Sequence, residues 1–288
     1  MSRYMHVLGK IQIHPVTWLV MGIAVLTAQF QPLTMLLLVV FFHEMGHALM
    51  AAHYKWRIKS ITILPFGGMM ETEEYGNRSV KEDMHVIIAG PLQHLWMLGL
   101  AYALLWSGVI SENTFIDFSF VNASICLFNL MPIWPLDGGK LLFLFMSQHT
   151  TFLKSHQWVL KISLMCIGLL LPAIIWFHQF SLNIIIICLF LLVSIWMEWK
   201  QRHFVFMRFL LERHYGKRDE LVKLKPIMVD KNEPLYAILQ YFQRGCKHPV
   251  VVTDGGEETG SLDENEILHA YFSEKRTKDK VGDLLYCY

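Results

Sequence analysis

The chain has 288 residues with 25 basic and 24 acidic side chains, a net charge of +1 that argues against nucleic acid as a partner. Hydrophobic residues make up 54% and charged residues 17%, against about 25% charged in an ordinary soluble domain. Only 20 of the charges fall in residues 1–199 and 29 fall in residues 200–288, which excludes a single soluble globule and a disordered chain.

The sequence therefore predicts a membrane domain followed by a small soluble one. No Asp, Glu, Lys or Arg occurs in 11–43, 84–111, 118–136 or 162–197. A spanning helix needs about 20 apolar residues, so the first and last runs each hold two. Gln29-Phe30-Gln31-Pro32 breaks the first and His178–Asn183 the last. Six spans follow, near 14–30, 33–53, 82–109, 114–132, 157–177 and 181–199. The loops near 30–33, 109–114 and 177–182 hold no Lys or Arg, so all basic residues lie on the other side and both termini are predicted cytoplasmic. No small-residue cleavage site follows the basic N-terminus, so the first span reads as uncleaved.

The second span carries His43-Glu44-Met45-Gly46-His47. On a helix, residues four apart share a face, so both imidazoles can reach one metal and Glu44 can reach its water. Ionisable groups inside a span default to a functional reading. Residues 58–70, ending in Pro65-Phe66-Gly67-Gly68 and Met69-Met70, read as a short hairpin dipping into the membrane. Such backbone must line a cavity or be buried in protein. An edge strand there would hold a substrate extended. The third span contains Ala89-Gly90-Pro91 and, three residues on, His94, which is assigned no zinc role.

Past the fourth span runs Asn129-Leu130-Met131-Pro132-Ile133-Trp134-Pro135-Leu136-Asp137-Gly138-Gly139. The prolines stop the helix and the glycines allow close backbone approach. Asp137 ends a charge-free run at the same membrane side as His43. It is the best third ligand for a zinc site, which needs three protein ligands and an open position. The five cysteines have no C-x-x-C spacing, so neither a disulfide framework nor a cysteine zinc site is expected.

Residues 200–225 are charged and read as a helical linker. Strands are expected at Ile227–Val229, Pro249–Thr253 and around Leu262, with helices at Pro234–Gly245 and Glu264–Phe272 and a turn at Asp254-Gly255-Gly256. The domains are 1–199, a linker at 200–225, and a small α/β domain at 226–288. Its β-α-β-β-α order resembles one cystathionine-β-synthase (CBS) motif. Such motifs pair, and a pair can bind adenine nucleotides such as ATP or serve as a purely structural dimerisation module. One copy is visible, so the resemblance implies a homo-oligomer.

The paired motifs H-E-x-x-H and N-x-x-P-x-x-P-L-D-G, with Gly67-Gly68 and Ala89-Gly90-Pro91, resemble the site-2 proteases, a family of intramembrane zinc metalloproteases. The family usually has Asn where this chain has His94. The resemblance covers essentially the whole chain. It implies an α-helical polytopic membrane protein with a membrane-embedded hairpin and a CBS-type tail. It also implies Zn2+ held by His43, His47 and Asp137, with Glu44 passing a proton from water to the leaving amine. Asn129 is expected to donate to the substrate or oxyanion, and Phe66, Gly67 and Pro135 to line the substrate path. The bacterial sporulation members imply a substrate: the membrane-tethered precursor of a late sigma factor, pro-sigma-K. They imply membrane-protein inhibitors and the mother-cell membrane around the forespore. A zinc transporter would need further His and Asp ligands along the spans, and 118–136 and 162–197 supply none. An inactive client-binding relative is disfavoured by the intact Glu44.

Overall fold

The computed structural model describes residues 9–64, 67–74, 78–176, 182–216 and 223–285. In chain order the first elements are strand β1 (Ile11–Ile13), helix α1 (Pro15–Leu26), helix α2 (Phe30–His53), strands β2 (Ile58–Leu64) and β3 (Gly67–Thr72), and helix α3 (Val80–Trp106). Helices α4 (Glu112–Asn129), α5 (Asp137–Ser147), α6 (Phe152–Trp176) and α7 (Leu182–Tyr215) follow. Each of the six segments read as spans falls on one of these helices. Among the described residues, Phe30–His53, Val80–Trp106 and Ile184–Tyr215 are long and apolar enough to cross a membrane, and Thr17–Leu26 is a shorter apolar helix. Trp18, Leu19, Leu95, Tyr102, Trp106, Phe120, Leu169 and Trp196 are all exposed. That much exposed apolar surface on helices suits lipid rather than water.

The helix ends follow local chemistry. Pro15 opens α1, where its missing N–H is an orphan in any case. The Ser111 side chain caps α4 by accepting the Thr114 N–H at 3.2 Å. Pro91 lies inside α3 and Pro172 inside α6.

The residues divide into two compact units. The first gathers the elements up to Glu74 with Lys81–Leu141 and Ser163–Val193. Here β2 and β3 form the expected antiparallel hairpin, with Ile61 opposite Met70 and Leu64 opposite Gly67. A third strand joins it: β1 pairs parallel to β2, Ile11 with Ile61 and Ile13 with Ile63. Pro65 and Phe66 lie outside the described residues. Ile58 and Ile61 pack beneath the sheet on Ala48, Ala51 and Ala52 of α2 and on Val86 of α3. These small residues let the sheet approach α2 closely. A second cluster, Val39, Val40, Met97 and Ile125, ties α2, α3 and α4 together.

The second unit gathers Leu142–Ile162 and the described residues from Ser194 onward. Strands β4 (Lys223–Leu224), β5 (Ile227–Asp230), β6 (Cys246–Lys247), β7 (Val250–Asp254) and β8 (Glu257–Leu262) build two small sheets, β4-β6 and β5-β7-β8. Helices α8 (Leu235–Leu239) and α9 (Glu264–Phe272) and a 3-10 turn at Val281–Leu284 complete it. The expected β-α-β-β-α order appears as β5-α8-β7-β8-α9, with the two-residue strands β4 and β6 in addition. Gly255 and Gly256 join β7 to β8 at φ 60° and 97°, backbone that glycine adopts without strain. Helix α8 stops at Leu239, short of the stretch expected, yet Phe242 beyond it is fully buried. The expected linker is helical to Tyr215. Its Phe206, Phe209 and Leu210 lie in one core with Phe152, Leu235, Ile238, Val250 and Ile267.

Candidate metal centre

Helix α2 buries His43, Glu44 and His47 on the face turned to α3 and the hairpin, at 1%, 4% and 4% exposure. Asp137 comes from the segment after α4. There Leu130 ends the helix with its N–H on the Cys126 carbonyl, and Ile133 and Leu136 close successive turns. The chain folds back so tightly that a Cβ on Gly138 would stand 2.2 Å from the Leu130 carbonyl oxygen, and one on Gly139 2.6 Å from Ile133. The two glycines are therefore what bring Asp137, the first residue of α5, inward to 3% exposure.

Three donor atoms converge. Asp137 Oδ2 lies 3.1 Å from His43 Nε2 and 3.0 Å from His47 Nε2, and the two Nε2 atoms are 3.1 Å apart. A zinc ion with four tetrahedral bonds of about 2.0–2.1 Å keeps its ligand atoms ~3.3 Å apart. The donors thus stand near coordination spacing. The hydrogen bonding fits a cation too. His47 Nδ1 donates to the Val86 carbonyl at 2.7 Å, which leaves a lone pair on Nε2 facing a carboxylate. Two such acceptors repel in a buried site unless a cation lies between them. Lys140 Nζ donates to the other oxygen, Oδ1, at 3.2 Å, so Asp137 offers one oxygen to the triangle. Glu44 Oε1 stands 4.0 Å from His43 Nε2, close to the ligands but outside the triangle, as a base beside them should be. His43, Glu44 and His47 form the His/Glu cluster with metal-ligand spacing.

Glycines shape this centre from two sides. A Cβ on Gly90 would lie 2.2 Å from His47 Nε2, and one on Gly68 would lie 2.3 Å from Glu44 Cγ. The Gly-Pro of α3 and the Gly-Gly of β3 are thus backbone surfaces pressed against His47 and Glu44.

Of the remaining expected site residues, Gly67 and Asn129 face each other: a Cβ on Gly67 would be 3.9 Å from Asn129 Oδ1. Asn129 is buried and its Nδ2 donates to the Ile125 carbonyl at 3.0 Å, so its amide hydrogens are partly engaged by its own helix. Pro135 sits in the Asp137 turn and is half-buried. Phe66 lies outside the described residues. Three further residues adjoin the centre, and sequence reasoning gave none of them a part in it. His94, assigned no zinc role, is buried, with Nε2 3.0 Å from His43 Nδ1. Asn122 touches His94 from α4. Lys140 follows Asp137 by three residues, one helical turn, which the sequence could have shown.

Comparison with known proteins agrees with this geometry. The chain matches the model of peptidase family M50 over residues 31–119 and 107–170. It is 46% identical over 289 residues to stage IV sporulation protein FB of Bacillus subtilis (strain 168), covering 100% of both chains. It is 30% identical over 169 residues to a zinc metalloprotease of Methanocaldococcus jannaschii, covering 57% of this chain and 47% of that protein. In fold it resembles the site-2 protease from the same archaeon, with a TM-score of 0.52 and 24% identity over 65% of this chain and 89% of that one. The chain belongs to peptidase family M50, the site-2 proteases.

Proposed function

We propose that the protein is an intramembrane zinc endopeptidase that cleaves a membrane-tethered protein near the cytoplasmic face. The observation that carries this reading is the buried triangle of His43, His47 and Asp137 donors at 3.0–3.1 Å with Glu44 beside it. Those three residues would hold Zn2+. When bound, zinc lowers the pKa of a coordinated water toward about 7 and polarises the scissile carbonyl. Glu44 takes the proton from the attacking water and returns it to the leaving amine. Lys140 fixes the spare oxygen of Asp137. Strand β3 is an edge of its sheet, so it is suited to hold a substrate strand extended, with Asn129, Pro135, Phe66 and Gly67 along its path. Extension matters because a helix hides its carbonyls.

Full-length similarity to stage IV sporulation protein FB supports a sporulation role. The substrate is then a tethered sigma-factor precursor, pro-sigma-K, the site the mother-cell membrane around the forespore, and the regulators membrane-protein inhibitors. The helices under the six expected segments support six spans, and the one-sided basic residues support both termini cytoplasmic. The β-α-β-β-α tail supports a CBS-type module that pairs between copies and takes ATP.

Glu44→Gln keeps shape and removes the base. Co-expressed with the tethered precursor, this variant retains zinc after purification and loses cleavage by orders of magnitude. Undiminished cleavage would leave the protease mechanism untenable.

A further inference from the structure

A hydrogen-bond chain that starts outside the metal centre sets the state of His43. Asn122 Nδ2 donates to the backbone carbonyl of His94 at 3.0 Å. The opposite amide orientation would set two oxygens against each other, so Oδ1 is the atom that faces His94 Nδ1, at 2.7 Å. An amide oxygen only accepts, so Nδ1 of His94 carries the proton and its Nε2 presents a lone pair. That lone pair lies 3.0 Å from His43 Nδ1. His43 Nδ1 therefore donates, and its Nε2 is left with a lone pair directed at the His47 and Asp137 donors, 3.1 Å from each. His94, Asn122 and His43 are all at most 3% exposed, a poor place for water to replace a lost partner. His47 reaches the same state by one direct bond to the Val86 carbonyl. His43 needs two residues to do so.

We propose that Asn122 and His94 are positioning residues that hold His43 in the tautomer and ring orientation able to bind zinc. This rests on the reading of His43, His47 and Asp137 as the zinc ligands. Neither residue touches substrate or metal. Loss of the Asn122 oxygen frees His94 to present N–H rather than a lone pair to His43, which drives a proton onto the metal-facing nitrogen. Partners of this kind typically contribute ~10–100-fold to metal affinity.

The test is zinc affinity of the full-length protein in detergent, by competition with a chromophoric chelator. Cobalt absorption serves as a second readout of ligand geometry. His94→Phe and Asn122→Leu are each expected to weaken zinc binding about 10–100-fold and to alter the cobalt spectrum. The double variant should lose no more than either alone, because both break one chain. His94→Gln, whose Oε1 offers an acceptor near the Nε2 position, should restore most of the affinity. Should Asn122→Leu fail to fold, Asn122→Ala removes the same acceptor without bulk and carries the same expectation. His43→Ala is the control. If it binds zinc like the unaltered protein, the ligand reading itself falls. If it loses zinc while His94→Phe and Asn122→Leu keep full affinity, the relay is overturned. A His94→Gln protein as weak as His94→Phe also overturns it, since packing rather than the acceptor would then be at work.

Discussion

Two single-methyl substitutions separate the roles of ligand and base. In Gly90→Ala the added carbon would lie 2.2 Å from His47 Nε2, 2.4 Å from Cε1 and 2.8 Å from Cδ2. Ordinary contact needs ~3.5 Å, so the ring or the α3 backbone must retreat by more than an ångström. The ring cannot turn away freely, because Nδ1 is held on the Val86 carbonyl one turn earlier in α3. Overpacking of this kind costs about 1–3 kcal/mol, and displacing a ligand atom by ~1 Å costs roughly 100-fold in rate. In Gly68→Ala the clash is with Glu44 instead, 2.3 Å from Cγ and 2.4 Å from Cδ. Clearing them takes a new χ1 rotamer, which swings the carboxylate away from its place beside the His43 and His47 donors. Glu44 is not a ligand in the triangle. Gly90→Ala is therefore expected to lower both zinc content and cleavage, and Gly68→Ala to lower cleavage while zinc content stays unchanged. Metal analysis of the purified proteins and immunoblotting of a co-expressed precursor read the two outcomes. Wild-type zinc and cleavage in Gly90→Ala, or zinc loss in Gly68→Ala equal to that in Gly90→Ala, would refute the assignment.

Glu264 is fully buried and pairs with Arg213 through both carboxylate oxygens, while Oε2 also accepts the His248 N–H at 2.8 Å. Glu264→Gln leaves that guanidinium charge uncompensated and should destabilise the second unit by about 3–5 kcal/mol, seen as a lowered unfolding midpoint; an unchanged midpoint would count against the pair as a structural hub. Burial, and then the neighbouring Arg213 charge, hold the His248 pKa below its usual 6.5. The unfolded chain then binds the proton more tightly, so stability is complete above pH 6.5 and declines as pH falls from there toward the folded value. His248→Gln should flatten that part of the pH–midpoint curve, and an equal slope in both proteins would exclude His248 as its source. Reporters fused at 31, 111 and 180 should read external and those at 65, 150 and 288 internal, a pattern broken by a cytoplasmic signal at 111.

The proposed zinc ligands His43 and His47 were legible because ionisable groups at membrane depth are rare, and because two helical imidazoles four residues apart carry their geometry in the spacing. Asp137 was legible from the prolines and glycines that end a charge-free run. The helices under the six expected spans were legible from charge-free runs and the breaks within them, whereas α5 (Asp137–Ser147) was not expected. What packs across elements was not. Gly68 and Gly90 stood out as motif residues, but only the folded chain shows that one presses on Glu44 and the other on His47. His94 and Asn122 are 28 residues apart on different helices, and no periodicity links them. Strand β1 has three residues, too few for alternation to register, and it exists because β2 offers it a parallel edge.

The segment 200–215 shows how charge counting can hide a buried face. It carries Lys200, Arg202, Arg208, Glu212 and Arg213, which reads as a solvated connector. Yet Phe206, Phe209 and Leu210 recur at helical spacing and are fully or almost fully buried. Phe209 stacks on Phe152 with ring centroids 4.1 Å apart and planes within 6°. Arg213 completes the same stripe one turn on. Its guanidinium lies over the rings of Phe209 and Phe242 and donates to the Gln243 and Cys246 carbonyls. Phe152 opens α6, and its own N–H is taken by the Phe242 carbonyl at 3.1 Å. The core of the second unit is thus assembled from helix ends and tail strands together. Cutting the chain after Arg213 would strip the partners from a buried cation and uncover three large apolar side chains. A shortened protein made to test the tail would then report on damaged helices as well as on a missing domain. Point substitutions at exposed positions of the tail sheet, such as Met228 of β5, leave that shared core intact and address the tail alone.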